Sequence, residues 1–164
     1  MSSQDSLEQP PLKKQKLETS ASTQSQDADK MFKLSQPLLS SLESNNSTIH
    51  PCKIVIKKGD KIERRVSQLL RSISEKKEPT LVMASGNAIQ KLVSIVEIVK
   101  TRLAENDSKG KFEQFNKLDS FDTVIKKNEL IDKTVRTSVF YALLRLKTED
   151  NVGPELKHWT RQTI

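Results

Sequence analysis

"LVMASGNAIQKLVSIVEIVK", residues 81–100, begins as an apolar strand and ends as an amphipathic helix. Ser85-Gly86-Asn87 sits where the two meet. Backbone amides at a helix start point outward and carry partial positive charge, so such a corner attracts anions. A plain strand–helix turn accounts for the same tripeptide, and the surrounding sequence has to decide between them. Upstream, "TLVMAS" (80–85) is almost wholly apolar, as expected for a central strand of a sheet. Downstream, Ile89, Leu92, Val93, Val96, Val99 and Leu103 recur at helical spacing from about Asn87 to Ala104. Ile95 and Ile98 widen that stripe, which suits burial against its own sheet and, on a second side, against another chain.

Before this stretch, "CKIVIKK" (52–58) reads as a short β-branched strand stopped by Gly59-Asp60, with Asp60 as the expected N-cap of a helix. Ile62, Val66, Leu69, Leu70 and Ile73 mark the buried face of that first helix. Lys61, Arg64, Arg65, Gln68 and Arg71 mark its polar face. "EKKEP" (75–79) ends it. After the quoted stretch, "KFEQFNKLDSFDTV" (111–124) reads as a strand, "IKKNELIDK" (125–133) as a polar connection, and "TVRTSVFYALLRLK" (134–147) as a last strand. The expected order is strand, helix, strand, helix, strand, strand. That is an α/β fold, a βαβαββ two-layer sandwich with its helices on one face.

The flanks differ in composition. Residues 1–30 are rich in Ser, Gln, Asp and Lys, and are expected to be disordered. Within them Lys13-Lys14-Gln15-Lys16 follows Pro10-Pro11 and has the form of a short nuclear import signal. Residues 31–50 form a linker or docking segment, with a short helix in "FKLSQPLLSSL" broken near Pro37. The organised domain is placed at 51–147, and 148–164 is a tail whose Trp159 either docks or meets a partner.

Of the 164 residues 34% are hydrophobic and 30% charged, and the formal net charge is +7. Residues 1–30 hold four lysines against five acids, so the excess positive charge belongs to the later region. A phosphate-rich or anionic-lipid partner fits such a balance, although a well-solvated basic surface produces it too. No apolar run reaches membrane-spanning length, and no secretory or mitochondrial leader is evident. Cys52 is the sole cysteine, which rules out an internal disulfide and cysteine-based zinc.

Catalytic chemistry finds no support. His50 and His158 lack partner motifs for nucleophilic catalysis. Asp119 and Asp122, three apart on a strand, point to opposite faces and do not share a metal. The glycine corner lacks the Gly-Lys-Ser/Thr ending of a P-loop. No enzyme activity, cofactor or metal is expected of the chain alone.

Binding is better supported. A right-handed crossover makes the first two strands parallel, setting Lys57-Lys58 beside the Gly86 corner. Lys61, Arg64 and Arg65 on the first helix, Ser85, Asn87, Gln90 and Lys91 at the corner, and Lys126-Lys127 in the late connection complete a phosphate-facing set. The few aromatic residues argue against stacking on single strands and for structured RNA read by shape.

"ASGNAIQKLVSIVEIVKTR" resembles the signature of the Alba superfamily. Gly86, Ala88-Ile89, Lys91 and the Val96-Glu97-Ile98-Val99 end fall on its pattern, and Lys57-Lys58 fall on its lysine pair. The likeness spans about 53–147. Asn87 replaces the basic residue that many archaeal members carry after the glycine, and the late hairpin holds fewer arginines. "KFEQFNKLDSFDT" and "LKHWTRQ" are similar to the Alba-like subunits shared by yeast nuclear ribonuclease P and ribonuclease MRP. That resemblance implies a non-catalytic subunit that pairs with a second Alba-like chain through Ile95, Ile98, Val99, Phe121 and Phe140. It further implies binding to the P3 arm of the catalytic RNA, recruitment of larger protein subunits, and a place in the nucleus and nucleolus, in tRNA 5′ maturation and rRNA processing. The alternative is a free-standing homodimer on chromatin DNA or mRNA.

Overall fold

The computed structural model describes residues 20–43, 51–105, 112–128, 131–147 and 159–163. Its elements are α1 (Ser20–Glu43), β1 (Cys52–Val55), α2 (Ile62–Leu70), β2 (Thr80–Ser85), α3 (Ile89–Glu105), β3 (Phe112–Asn128), β4 (Ile131–Leu146) and β5 (Thr160–Thr163). One sheet runs in the order β1-β2-β4-β3-β5. β1 and β2 are parallel, and every other pairing is antiparallel.

The apolar run of β2 has a simple cause. Successive side chains on a strand point to opposite faces, so a strand covered on both sides is apolar throughout. Val82 and Ala84 join Ile54, Ile56, Ala142 and Leu144 beneath α2 and α3. Leu81 and Met83 join Val139, Tyr141, Leu143 and Phe115 beneath α1. The βαβαββ order stands as expected, but helices cover both faces, and α1 adds a third layer to the expected two.

α1 revises the reading of the N-terminal region. Residues 20–30, expected to be disordered, are helical, and the helix runs through Pro37 to Glu43 without a break. Ala28, Met31, Phe32, Ser35, Leu38 and Leu39 recur at three- and four-residue spacing and face the sheet. Pro37 falls on the exposed side, where the absent N–H and the bulk of the ring meet solvent rather than the core. Ser35, fully buried, donates its hydroxyl to the Phe32 carbonyl oxygen at 2.7 Å, and Tyr141 donates to the Met31 carbonyl oxygen at 3.3 Å. Burial pushes the Tyr141 phenol up to about 12, with the Asp119 charge adding to the rise. Residues 1–19, with the import-signal motif, and residues 44–50 lie outside the described residues, as do His50 and His158.

Three further boundaries differ from expectation. β1 ends at Val55, because the chain turns back at Lys57–Asp60, where the Asp60 N–H meets the Lys57 carbonyl oxygen at 3.0 Å. β3 and β4 extend through most of the expected polar connection, since cross-strand pairing continues as far as Asn128 and Ile131. Val124, Arg136 and Thr134 tolerate solvent on a two-stranded ribbon, where polarity does not forbid pairing. The C-terminal tail also contributes β5, which pairs with β3, while Trp159 packs on the α1 side of the sheet. Glu113, nearly buried, ties these strands together by accepting from Arg145 at 2.8 Å and Arg161 at 2.5 Å.

Candidate nucleic-acid interface

The corner is built by the parallel pairing of β1 and β2. Val55 lies opposite Met83, and the Ile56 N–H donates to the Met83 carbonyl oxygen at 2.8 Å. Two residues on, Lys57 and Lys58 therefore leave the sheet where Ser85 and Gly86 leave it. Gly86 opens a single 3-10 turn, Gly86–Ala88, that leads into α3. Its φ of +51° lies in the left-handed region, which L side chains rarely occupy. Space is not the constraint, because an added Cβ would stand 3.7 Å from Thr137 Cγ2. Gly86 and Asn87 are exposed and Ser85 is half-buried.

Asp60 organises the β1–α2 loop. The expected N-cap role falls away, since Lys61 occupies that position and makes no side-chain cap. One Asp60 carboxylate oxygen instead accepts from the Lys57 N–H and from Arg65 Nε, each at 2.9 Å. Burial pushes the Asp60 carboxyl up, but the Arg65 and Lys57 hydrogen bonds, with the charges of Arg65 and Lys91, hold it below its ordinary 3.8. Its stabilising contribution is therefore present above that value and is lost as pH falls through the lowered one. Lys91 crosses from α3 to donate to the Lys58 carbonyl oxygen and to that of Asp60, the latter at 2.8 Å.

These contacts divide the expected phosphate-facing set. Arg65 and Lys91 are half-buried and engaged in holding the loop, Arg65 also donating to Gln68 at 2.8 Å. Lys57, Lys58, Lys61, Arg64 and Gln90 are exposed. Among the described residues the four cations of this group make no ion pair. Lys126 and Lys127 are not brought to the corner. β2 stops where Ser85 meets Val139, and the β3–β4 hairpin continues as an arm with Lys126 opposite Asp132. At ~3.3 Å per residue, that row lies roughly 20 Å further out.

The corner also has a roof that the sequence did not disclose. A cavity of about 210 Å³ lies beneath Asp27 and Met31 of α1, with Val55, Lys57, Gly86 and Thr137 among its walls. α1 is braced to the hairpin arm as well: Lys30 donates to Thr123 Oγ1 at 3.0 Å and stands 5.1 Å from the centre of the Phe121 ring.

The expected pairing surface needs correction. Ile95 and Val99 are fully buried in the core shared by α2, α3 and the sheet, so they are not available to a partner. Ile98 and Phe140 are half-buried against that core, and Phe121 lies against the α1-side cluster. The stripe is wide enough for two faces, but α2 and the sheet together consume most of it. Among the described residues the exposed large apolar side chains are Leu118 (68%), Val124 (58%), Val93 (42%) and Ile62 (39%). Leu118 lies opposite Phe140 in the ladder. The loose alternation of "FNKLDSFDTV" carried that signal, because a leucine and a valine fall on one face among polar neighbours.

Residues 53–122 match the Alba family model. The match runs from β1 into the middle of β3, so the glycine corner and its lysines lie inside the matched residues. α1, β4 and β5 lie outside it. No curated protein matches the chain. Among solved structures, Alba from Thermoplasma volcanium is similar, with a TM-score of 0.43 and 16% identity. The similarity covers 57% of this chain and 98% of that one. Among the described residues no three His, Cys, Asp or Glu side chains gather as a metal site, and no helix is long and apolar enough to cross a membrane.

Proposed function

We propose that this chain is a non-catalytic RNA-binding subunit of nuclear ribonuclease P and ribonuclease MRP. The observation that carries the binding part is the corner itself. Lys57 and Lys58, without an ion pair among the described residues, emerge beside the exposed Gly86-Asn87 backbone, within the segment that matches Alba. Phosphate contacts from lysines and backbone amides fix a protein on a nucleic-acid rail without reading sequence. Lys61 and Arg64 extend the cationic surface along α2. Arg65, Asp60 and Lys91 keep the loop in shape, so the binding lysines start from a fixed backbone.

In this proposal the partner is a second, different Alba-like chain, which covers Leu118, Phe140 and Val93 rather than Ile95 and Val99. The heterodimer grips the P3 arm of the catalytic RNA, helps recruit larger protein subunits, and works in the nucleus and nucleolus, in tRNA 5′ maturation and rRNA processing. The reacting centre belongs to the RNA. The similarity of "KFEQFNKLDSFDT" and "LKHWTRQ" to the ribonuclease P and MRP subunits supports this finer assignment.

Crosslinking the protein to RNA in cells and sequencing what is attached tests it. Reads concentrated on the P3 arm of ribonuclease P and MRP RNA are expected. Reads spread over messenger RNA or chromatin would replace this proposal with the free-standing homodimer.

A further inference from the structure

The roofed cavity at the corner contains more than a phosphate rail requires. Its floor is apolar: Ile56 and Ala88 are buried and Val55 is half-buried, and buried Met31 adds an apolar side chain from α1. Its mouth carries exposed Lys57, Lys58 and Asn87. Asp27 hangs over it from α1, half-buried, and forms no ion pair among the described residues although two lysines line the same space. A carboxylate and two ammonium groups thus remain unspent around one apolar floor. The ligand that satisfies both has a negative end, a flat apolar body and a hydrogen-bond donor edge.

We propose that the cavity receives one unstacked guanine of the bound RNA. Its phosphate meets Lys57, Lys58 and the Gly86-Asn87 backbone at the mouth. Its ring lies against Val55 and Met31. Its Watson–Crick edge presents adjacent N1–H and N2–H donors, which the Asp27 carboxylate accepts as a pair. Adenine and uracil lack two adjacent donors on that edge. The size agrees, since about 210 Å³ is below the roughly 300–1,000 Å³ of pockets for drug-sized ligands and suits a single base. Asp27 and Met31 precede the Alba-matching segment, and Thr137 follows it, so this base site is an addition to the corner that the matched segment forms. The proposal rests on the RNA-binding reading above and adds a base preference to it.

The test uses the full chain and three RNA hairpins of one stem sequence, with a bulged guanine, a bulged adenine or no bulge. Binding is followed by fluorescence anisotropy at fixed salt. The guanine bulge should bind about tenfold tighter than the adenine bulge, the discrimination expected of one good bidentate base contact. Asp27→Asn should remove that preference without weakening affinity for the flush hairpin, since it takes a negative charge away from the phosphate-binding lysines. Asp27→Phe, which fills the cavity from a half-exposed helix position, should bring both bulged RNAs down to the flush value. Equal binding of the two bulges, with Asp27→Asn silent, overturns the base site and leaves the phosphate rail intact. Failure to bind all three, the flush hairpin included, overturns the RNA-binding reading and this proposal with it.

Discussion

The two faces of the sheet are held by different means. On one, α2 and α3 alternate with β1 and β2 along the chain, and their side chains interlock around fully buried Val66, Leu69, Leu92, Ile95 and Val99. On the other, a single helix from a distant segment covers Leu81, Met83 and Tyr141 with Met31, Leu38 and Leu39. The first face is a continuous core whose disruption affects the whole fold. The second is a lid attached by a few side chains, one phenol hydrogen bond and the Lys30 brace. The cationic corner lies where they meet, with its glycine and lysines from the first and its roof from the second.

The largest effect expected from this contrast is at Ile95. An aspartate there would place a charge in a site with no exposure and no partner, so Ile95→Asp should cost more than about 4 kcal/mol and abolish cooperative thermal unfolding. A folded variant would show that the α3 face is not the core.

Leu39→Ala, on the lid, should cost about 2–3 kcal/mol. Hydrogen exchange should locate the loosening in α1 and leave β2 and α3 protected. Exchange rising equally on both faces would erase the distinction between core and lid.

Tyr141→Phe removes the bond to the Met31 carbonyl and should cost about 1 kcal/mol. Burial of the same phenol, with the Asp119 charge, gives a pH signature. The folded phenol titrates near 12, above its ordinary 10, so its contribution is complete below pH 10 and is lost between 10 and about 12. Fluorescence of Trp159, on the same face, should report the loosening in that window for the wild type and not for Tyr141→Phe.

Leu118→Asp should change monomer stability by less than about 0.5 kcal/mol, since the side chain is exposed, yet it should weaken association with the partner chain. Sedimentation of the purified pair would check this, and an unaffected complex would move the proposed interface elsewhere.

The same contrast explains what the sequence disclosed. Along 52–104, apolar spacing changes from strand to helix period at Gly59-Asp60 and at Ser85-Gly86, so the elements and the parallel corner were legible. α1 was not, because its apolar positions are diluted by Ser, Gln and Asp, and Pro37 suggested a break that its exposed position makes harmless. The hairpin arm was missed for a related reason. Two-stranded ribbons have no covered face beyond the sheet, so their residues need not alternate in polarity. At the corner, the sequence set Lys57-Lys58 beside Gly86, as the parallel pairing does, but could not tell free cations from employed ones. Whether Lys91 faces phosphate or the Lys58 carbonyl depends on where α3 passes, which no local pattern encodes.

The central claim is that Lys57 and Lys58 contact phosphate from a backbone fixed beside Gly86. Measuring RNA affinity against salt for the wild type and the Lys57→Ala, Lys58→Ala double variant tests it most directly. Losing two phosphate contacts should reduce the slope of log K against log salt by about 1.5. An unchanged slope would contradict the account.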